Sequence, residues 1–176
     1  MTPLTSVAGI FILLTVNSFA LFAQSKSARD NSYQCTPCGY DCDKNNFSAP
    51  GECSDCHMPL VKKSTILFKT IAADDVCAYL QKHPTTILLD VRTKEEFEGK
   101  ANPDFGSLRN AINIPVQSLP NQLNKLSAYK NREIIVYCSH SHRSPRASYI
   151  LNQQGFTHVW NMAGGMSTIK EKSCVK

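Results

Sequence analysis

The stretch "IIVYCSHSHRSPRASYIL", Ile134 to Leu151, sets a cysteine, two histidines and two arginines between apolar runs. "EIIVY" (Glu133 to Tyr137) is short, continuous and rich in Ile and Val, the pattern of a strand buried on both faces. Further on, Ala147, Ile150 and Leu151 recur at i, i+3 and i+4, which predicts a helix over Ser144 to Gln154. Ser144 suits the N-cap of that helix and Pro145 its first turn. Six residues, Cys138 to Arg143, bridge the two elements. A tight loop feeding a helix N-terminus aims several backbone N–H groups at one spot and adds the positive end of the helix dipole. A sulfur in such a place is favoured as the thiolate, and an arginine there forks onto a bound oxyanion or neutralises the sulfur. Cys138 therefore reads as a nucleophile with Arg143 as its partner. Ser139, His140, Ser141, His142 and Ser144 form the surrounding anion loop. The plain alternative is a small buried thiol at a strand end.

The flanking sequence extends the same pattern. "TTILLDV" (Thr85 to Val91) is a second buried run, and "AINIP" and "THVW" are shorter β-like pieces. Helix-like segments lie between them at Ala73 to Gln81, Glu95 to Glu98 and Leu119 to Ser127. Strands alternating with helices predict an α/β domain with a mainly parallel sheet flanked by helices, over residues 65–176. Ligands of such sheets sit at the carboxyl ends of strands, which is where Cys138 falls.

Upstream the texture differs. The first 25 residues carry no Lys, Arg, Asp or Glu and are dominated by the apolar run Val7 to Ala23. They are expected to form a cleaved signal peptide, residues 1–25, with an uncleaved membrane anchor as the alternative. A polar linker over 26–32 follows. The mature protein is then expected to be exported to the periplasm or cell envelope, with no stable membrane insertion. The net charge of +5 is spread along the chain without a basic block. This argues against a nucleic-acid partner and suits small anions.

Eight cysteines are unevenly placed, five of them between Cys35 and Cys56. Residues 33–63 have almost no apolar run and need a metal or disulfides to hold a fold. Cys35-x2-Cys38 and Cys53-x2-Cys56 can each form a knuckle with both thiolates on one ion. Together they make a tetrahedral S4 site for Zn2+ or another thiophilic metal, copper included. Two disulfides are the competing reading, since an oxidising compartment permits them. Cys42 is an extra thiol that substitutes as ligand or stays free. Cys77 falls among the apolar positions of its helix and is expected in the core, while Cys174, near the end, pairs with another thiol or does nothing.

Two resemblances add to this reading. From about Phe68 to Lys172 the chain resembles a single-domain rhodanese: "LLDVR", "EEF", "GSLRNAINIP", "IIVYCSHSHRS" and "GFTHVWNMAGGM" occur in the family's order and spacing. The resemblance implies a sulfurtransferase whose Cys138 takes a sulfane sulfur from a small donor and passes it, as a persulfide, to a thiol or cyanide acceptor, with no cofactor. It also implies that Asp90 and Arg92 brace the loop region. Phosphatases and arsenate reductases of similar architecture resemble C-x5-R, one residue longer than the C-x4-R found here. Ser141 stands where many family loops have Gly, so a positive φ there would carry strain. His140 and His142 are also departures, and Ile169 replaces a frequent Trp. The block around "GECSDCHMPL" resembles the small heavy-metal-binding domain of copper-transporting ATPases and efflux adaptors, with Cys38 at that family's His and His57 at its Gly. It implies a zinc-ribbon-like module at residues 33–61, Met58 as a soft ligand or a packing residue, and envelope metal-transport proteins as partners. The functional alternative is a metal-handling or metal-sensing protein that uses the rhodanese fold for binding.

Overall fold

The computed structural model describes residues 30–37 and 41–176. The expected signal peptide and Cys38 lie outside the described residues. No helix among the described residues is long and apolar enough to cross a membrane.

The N-terminal block is a small body of its own making. Strands β1 (Tyr33–Cys35) and β2 (Leu60–Lys62) pair antiparallel, with Tyr33 opposite Lys62 and Cys35 opposite Leu60. A 3-10 turn at Asp41–Lys44 carries Cys42 between them. Its core is minimal: Cys35, Cys42, Cys53, Met58 and Leu60, flanked by Tyr33, Phe47 and Cys56. Met58 is buried and its sulfur accepts a hydrogen bond from Thr36 Oγ1 at 3.4 Å, so it packs this core.

The rest is an α/β layer. Strands β3 (Lys69–Ala72), β4 (Ile87–Asp90), β5 (Ile112–Asn113), β6 (Glu133–Tyr137) and β7 (His158–Ala163) form one sheet in the order β3-β7-β6-β4-β5. Every pairing in it is parallel. Helices α1 (Val76–Lys82), α2 (Lys94–Phe97), α3 (Leu119–Gln122) and α4 (Arg143–Gln153) connect the strands. Alternation along β6 splits its side chains between two cores, as the pleat requires. Ile134, Val136 and the following Cys138 join Leu89, Ala147, Leu151 and Phe156. Ile135 and Tyr137 join Leu88, Leu108, Met162 and Met166 on the opposite face. β6 lies at the sheet's centre, so the loop after it opens at the middle of the carboxyl edge.

Three elements differ from the sequence reading. The helix expected from Leu119 to Ser127 is α-helical only to Gln122 and continues as 3-10 turns through Tyr129; the tighter spacing sets Leu126 into the core. β3 was not anticipated, because Ile71 is its single buried residue and its burial pattern has no readable alternation. α4 begins at Arg143, with His142 in the N-cap position, so Ser144 is inside the helix rather than capping it.

Cys77 is buried, as expected, but it is also bonded to Cys174, 97 residues away. The bridge fixes the last residues against the 107–109 segment. There Leu108 pairs with Val175, Arg109 N–H donates to Cys174 O at 2.9 Å, and Lys176 N–H donates to Ser107 O at 2.8 Å.

Candidate active site and metal centre

Cys138 sits at the end of β6, 1% exposed, with its sulfur 3.5 Å from Ser144 Oγ. The loop around it is held from two sides. On the first, the carbonyls of Cys138 and Ser139 accept hydrogen bonds from Met166 and Ser167 N–H, both at 2.9 Å. Peptide planarity then turns the N–H groups of Ser139 and His140 away from that segment. The close approach depends on Gly165, at φ 68°: a Cβ there would fall 2.6 Å from Cys138 O and closer still to Ser139 O.

On the second side, Arg143 gives its guanidinium to Glu96, Nη1 to Oε2 at 2.6 Å and Nη2 to Oε1 at 2.8 Å. Ser139 Oγ completes the triangle, donating to Glu96 Oε1 at 2.8 Å and accepting from Arg143 Nη2 at 3.1 Å. Glu96 is in turn fixed by a capping box with Thr93 at the start of α2. The hydrogen-bonded Arg143 holds the Glu96 carboxyl down at about 2, against the burial that opposes its charge. Arg143 thus forms a strut between the loop and α2. Arg143 positions the loop.

Beside the end of β6, Asp90 and Arg92 form a buried ion pair at 2.7 Å. Arg92 Nη2 also donates to Gly106 O at 2.8 Å, and its guanidinium lies 5.8 Å over the Tyr137 ring. Tyr137 OH accepts from Leu108 N–H at 3.1 Å. Burial, reinforced by the Asp90 charge, drives the Tyr137 phenol well above its ordinary range and keeps it neutral. Inside the loop, Ser141 is fully buried at φ 60°, the left-handed conformation that the missing glycine would have supplied. His140 is exposed and meets Phe105 edge-on at 5.3 Å between ring centres. Ile169, in place of the frequent Trp, is buried in the second core.

A rhodanese-like domain model matches residues 72–172. The chain belongs to the rhodanese-like family. The tRNA uridine(34) hydroxylase of Cronobacter sakazakii is 28% identical over 116 residues, covering 59% of this chain and 32% of that protein. The enzyme of the same name from Escherichia coli (strain K12 / DH10B) is 29% identical over 94 residues, covering 51% and 25%. This chain therefore spans about a third or less of those relatives. A rhodanese-like domain protein from Staphylococcus aureus superposes with a TM-score of 0.51 at 27% identity, covering 62% of this chain and 99% of that one. A Rhodopseudomonas palustris protein, named as a possible tyrosine phosphatase, shares the fold at a TM-score of 0.52 and 17% identity, covering 62% and 85%.

The rhodanese-like match leaves the cysteine block outside it. There Cys35, Cys42, Cys53 and Cys56 place their sulfurs within 4.8 Å of one another, an arrangement able to hold a metal ion. The Cys35 and Cys42 sulfurs are 3.8 Å apart. Four thiolates around one Zn2+ at about 2.3 Å would stand about 3.8 Å from each other, so the donor set fits such an ion. Cys53 and Cys56 form a knuckle: His57 N–H donates to Cys53 O at 3.0 Å and Cys53 N–H to Met58 O at 2.9 Å. His57, at φ 55°, occupies the turn position that glycine would take more easily. Burial opposes the Cys53 thiolate, but the N–H groups of Cys56 and Asp55 outweigh it and lower the pKa. Burial raises Cys35 steeply and pushes Cys56 up to about 11. Cys42 thus stands with three of the four expected ligands, and no disulfide joins any of these four.

Sequence reasoning missed Glu96, Gly165 and Asn161. Thr93-x-x-Glu96 has the spacing of a capping box, but nothing local points to Arg143, 47 residues on. Asn161, fully buried within β7, donates to Ser141 Oγ at 3.4 Å and to Pro37 O at 3.2 Å. It thereby ties the cysteine block to the loop.

Proposed function

We propose that this protein is a sulfurtransferase that carries sulfane sulfur on Cys138 and is joined to a thiophilic-metal-binding module. The observation that carries the reading is the six-residue Cys138–Arg143 loop at the central carboxyl edge of the sheet, leading into an eleven-residue helix. Its peptide N–H groups and the helix dipole favour negative charge on sulfur. With thiosulfate as donor, the Cys138 thiolate attacks the sulfane sulfur, the S–S bond of thiosulfate breaks, and sulfite leaves with the electron pair. A new S–S bond then joins Cys138 to the transferred sulfur. An acceptor thiolate or cyanide attacks the terminal sulfur, and the Cys138 thiolate is released. Ser144 Oγ is placed to hydrogen-bond the reacting sulfur. The C-x4-R length suits a sulfur better than the wider cradle of a phosphate or arsenate.

Zn2+ or another thiophilic ion is the occupant we assign to Cys35, Cys42, Cys53 and Cys56; it would neutralise their crowded thiolates and hold the small N-terminal body together. Export to the periplasm or envelope, a small sulfur donor, a thiol or cyanide acceptor and envelope metal-transport proteins as partners complete the reading. The Cys77–Cys174 bridge supports an oxidising compartment. The hydroxylase activity named for the longer relatives is not carried over.

Intact-mass spectrometry after incubation with thiosulfate tests the proposal. Wild-type protein gains one sulfur on Cys138 and loses it to cyanide, whereas Cys138→Ser gains none. Absence of added sulfur on wild-type Cys138 sinks the reading. A metal-handling or sensing protein is the second reading. The contact of the cysteine block with the active loop through Asn161 favours it. Tight metal binding without sulfur transfer would select it.

A further inference from the structure

The cysteine cluster and the active loop share a cleft. Its volume is about 370 Å³, and its lining is Asp41, Cys42, Asp55, Cys56 and His142. The first four belong to the N-terminal block and the last to the loop that follows Cys138. Cys35, Cys42 and Cys53 are buried, while Cys56 is partly exposed, so the Cys56 edge is where the cluster opens. Asp41 and Asp55 add carboxylates at the mouth, Asp41 paired with Lys44 at 2.6 Å and Asp55 accepting from Asn45 at 3.2 Å. Two thiols, an imidazole and carboxylates suit a soft or borderline cation and no organic anion. The two walls are fixed to each other by Asn161, which donates to Pro37 O on one side and Ser141 Oγ on the other.

We propose that this cleft is the port through which a thiophilic cation enters and leaves the Cys35–Cys42–Cys53–Cys56 site, with His142 as the transient nitrogen ligand. The inference rests on the reading of those four cysteines as a metal site. It gives His142 a task separate from sulfur chemistry and makes metal traffic touch the loop that bears Cys138. Exchange at thiolate sites proceeds by successive ligand substitution. A nitrogen donor at the open edge therefore lowers the barrier in both directions and leaves the final sulfur coordination unchanged.

The test uses the full chain loaded with Cd2+ and followed by its thiolate-to-metal charge-transfer band, with release driven by excess chelator in a stopped-flow instrument. Wild-type protein takes up one equivalent. His142→Ala is expected to take up the same amount but to load and release it at least about fivefold more slowly, with added imidazole restoring the rate. His158→Ala, an imidazole lost from the opposite end of the sheet, is expected to exchange as wild type does. Equal rates in wild type and His142→Ala, with one equivalent bound in each, overturn the port and leave the metal site standing. Failure of the wild type to take up Cd2+ overturns both.

Discussion

Glu96 takes both terminal nitrogens of Arg143, at 2.6 and 2.8 Å, across 47 residues of sequence. The relationship makes Arg143 a strut, and it brings a short helix distant in sequence into contact with the loop that follows Cys138. Ser139 closes the triangle, so loss of either charge frees a loop residue next to Cys138.

Glu96→Gln keeps the shape and removes the charge. Charge-assisted hydrogen bonds contribute about 1.5–3 kcal/mol each where partly buried, and partial exposure brings the expected net loss for the pair to about 1–3 kcal/mol. Urea unfolding reads that loss. Sulfur loading of Cys138 should slow at least tenfold. Unchanged loading would show that the strut is dispensable for the loop.

The same carboxyl gives stability a pH signature. Its folded pKa, about 2, lies below its unfolded value of about 4.5. The folded state therefore binds fewer protons, and the contribution is complete above about 4.5 and lost as the pH falls through about 2. Wild type and Glu96→Gln should differ most near neutrality and converge at the acid end. Parallel denaturation curves from pH 7 down to pH 2 would contradict the assignment.

Ser141 and Gly165 make opposite predictions at positive φ. Ser141→Gly relieves a left-handed backbone but gives up the hydrogen bond from Asn161, so stability is expected to stay within about 1 kcal/mol of wild type, while Ser141→Val, β-branched, should lose about 2 kcal/mol or more. Gly165→Ala drives a methyl into the carbonyls of Cys138 and Ser139. It should cost both stability and most of the sulfur transfer, read by thermal unfolding and by persulfide mass.

Cys42→Ser should weaken cation binding by the N-terminal block at least tenfold, measured by competition with a chromophoric chelator. Holding any bound metal away with chelator should expose residues 30–63 to proteolysis while the sheet remains intact, because among the described residues the cysteine block shares no apolar cluster with the sheet. Full affinity in Cys42→Ser would return the fourth place to Cys38.

Much of this was readable in the chain, for identifiable reasons. β4 and β6 are continuous Ile/Val/Leu runs because an apolar core packs on each face of the sheet, and the loop between β6 and α4 shows its length directly. β3 was hidden by having one buried residue. The cysteine spacing announced a cluster able to hold a metal ion, with Cys38 of its expected set outside the described residues. Cys42 reaches the cluster through a 3-10 turn with no such signature. Contacts between distant residues, Glu96 with Arg143 and Asn161 with Pro37 and Ser141, leave no periodic trace and need the fold to be seen.

The bridge from Cys77 to Cys174 has a consequence for biosynthesis. One partner lies in the first helix of the sheet domain and the other lies 97 residues further on, so the covalent ring encloses most of the sheet described here. It cannot be closed until translation has passed residue 174, and any chain released earlier lacks both the bridge and the pairing of Leu108 with Val175. The bond is in effect a seal that a chain terminated before residue 174 cannot carry.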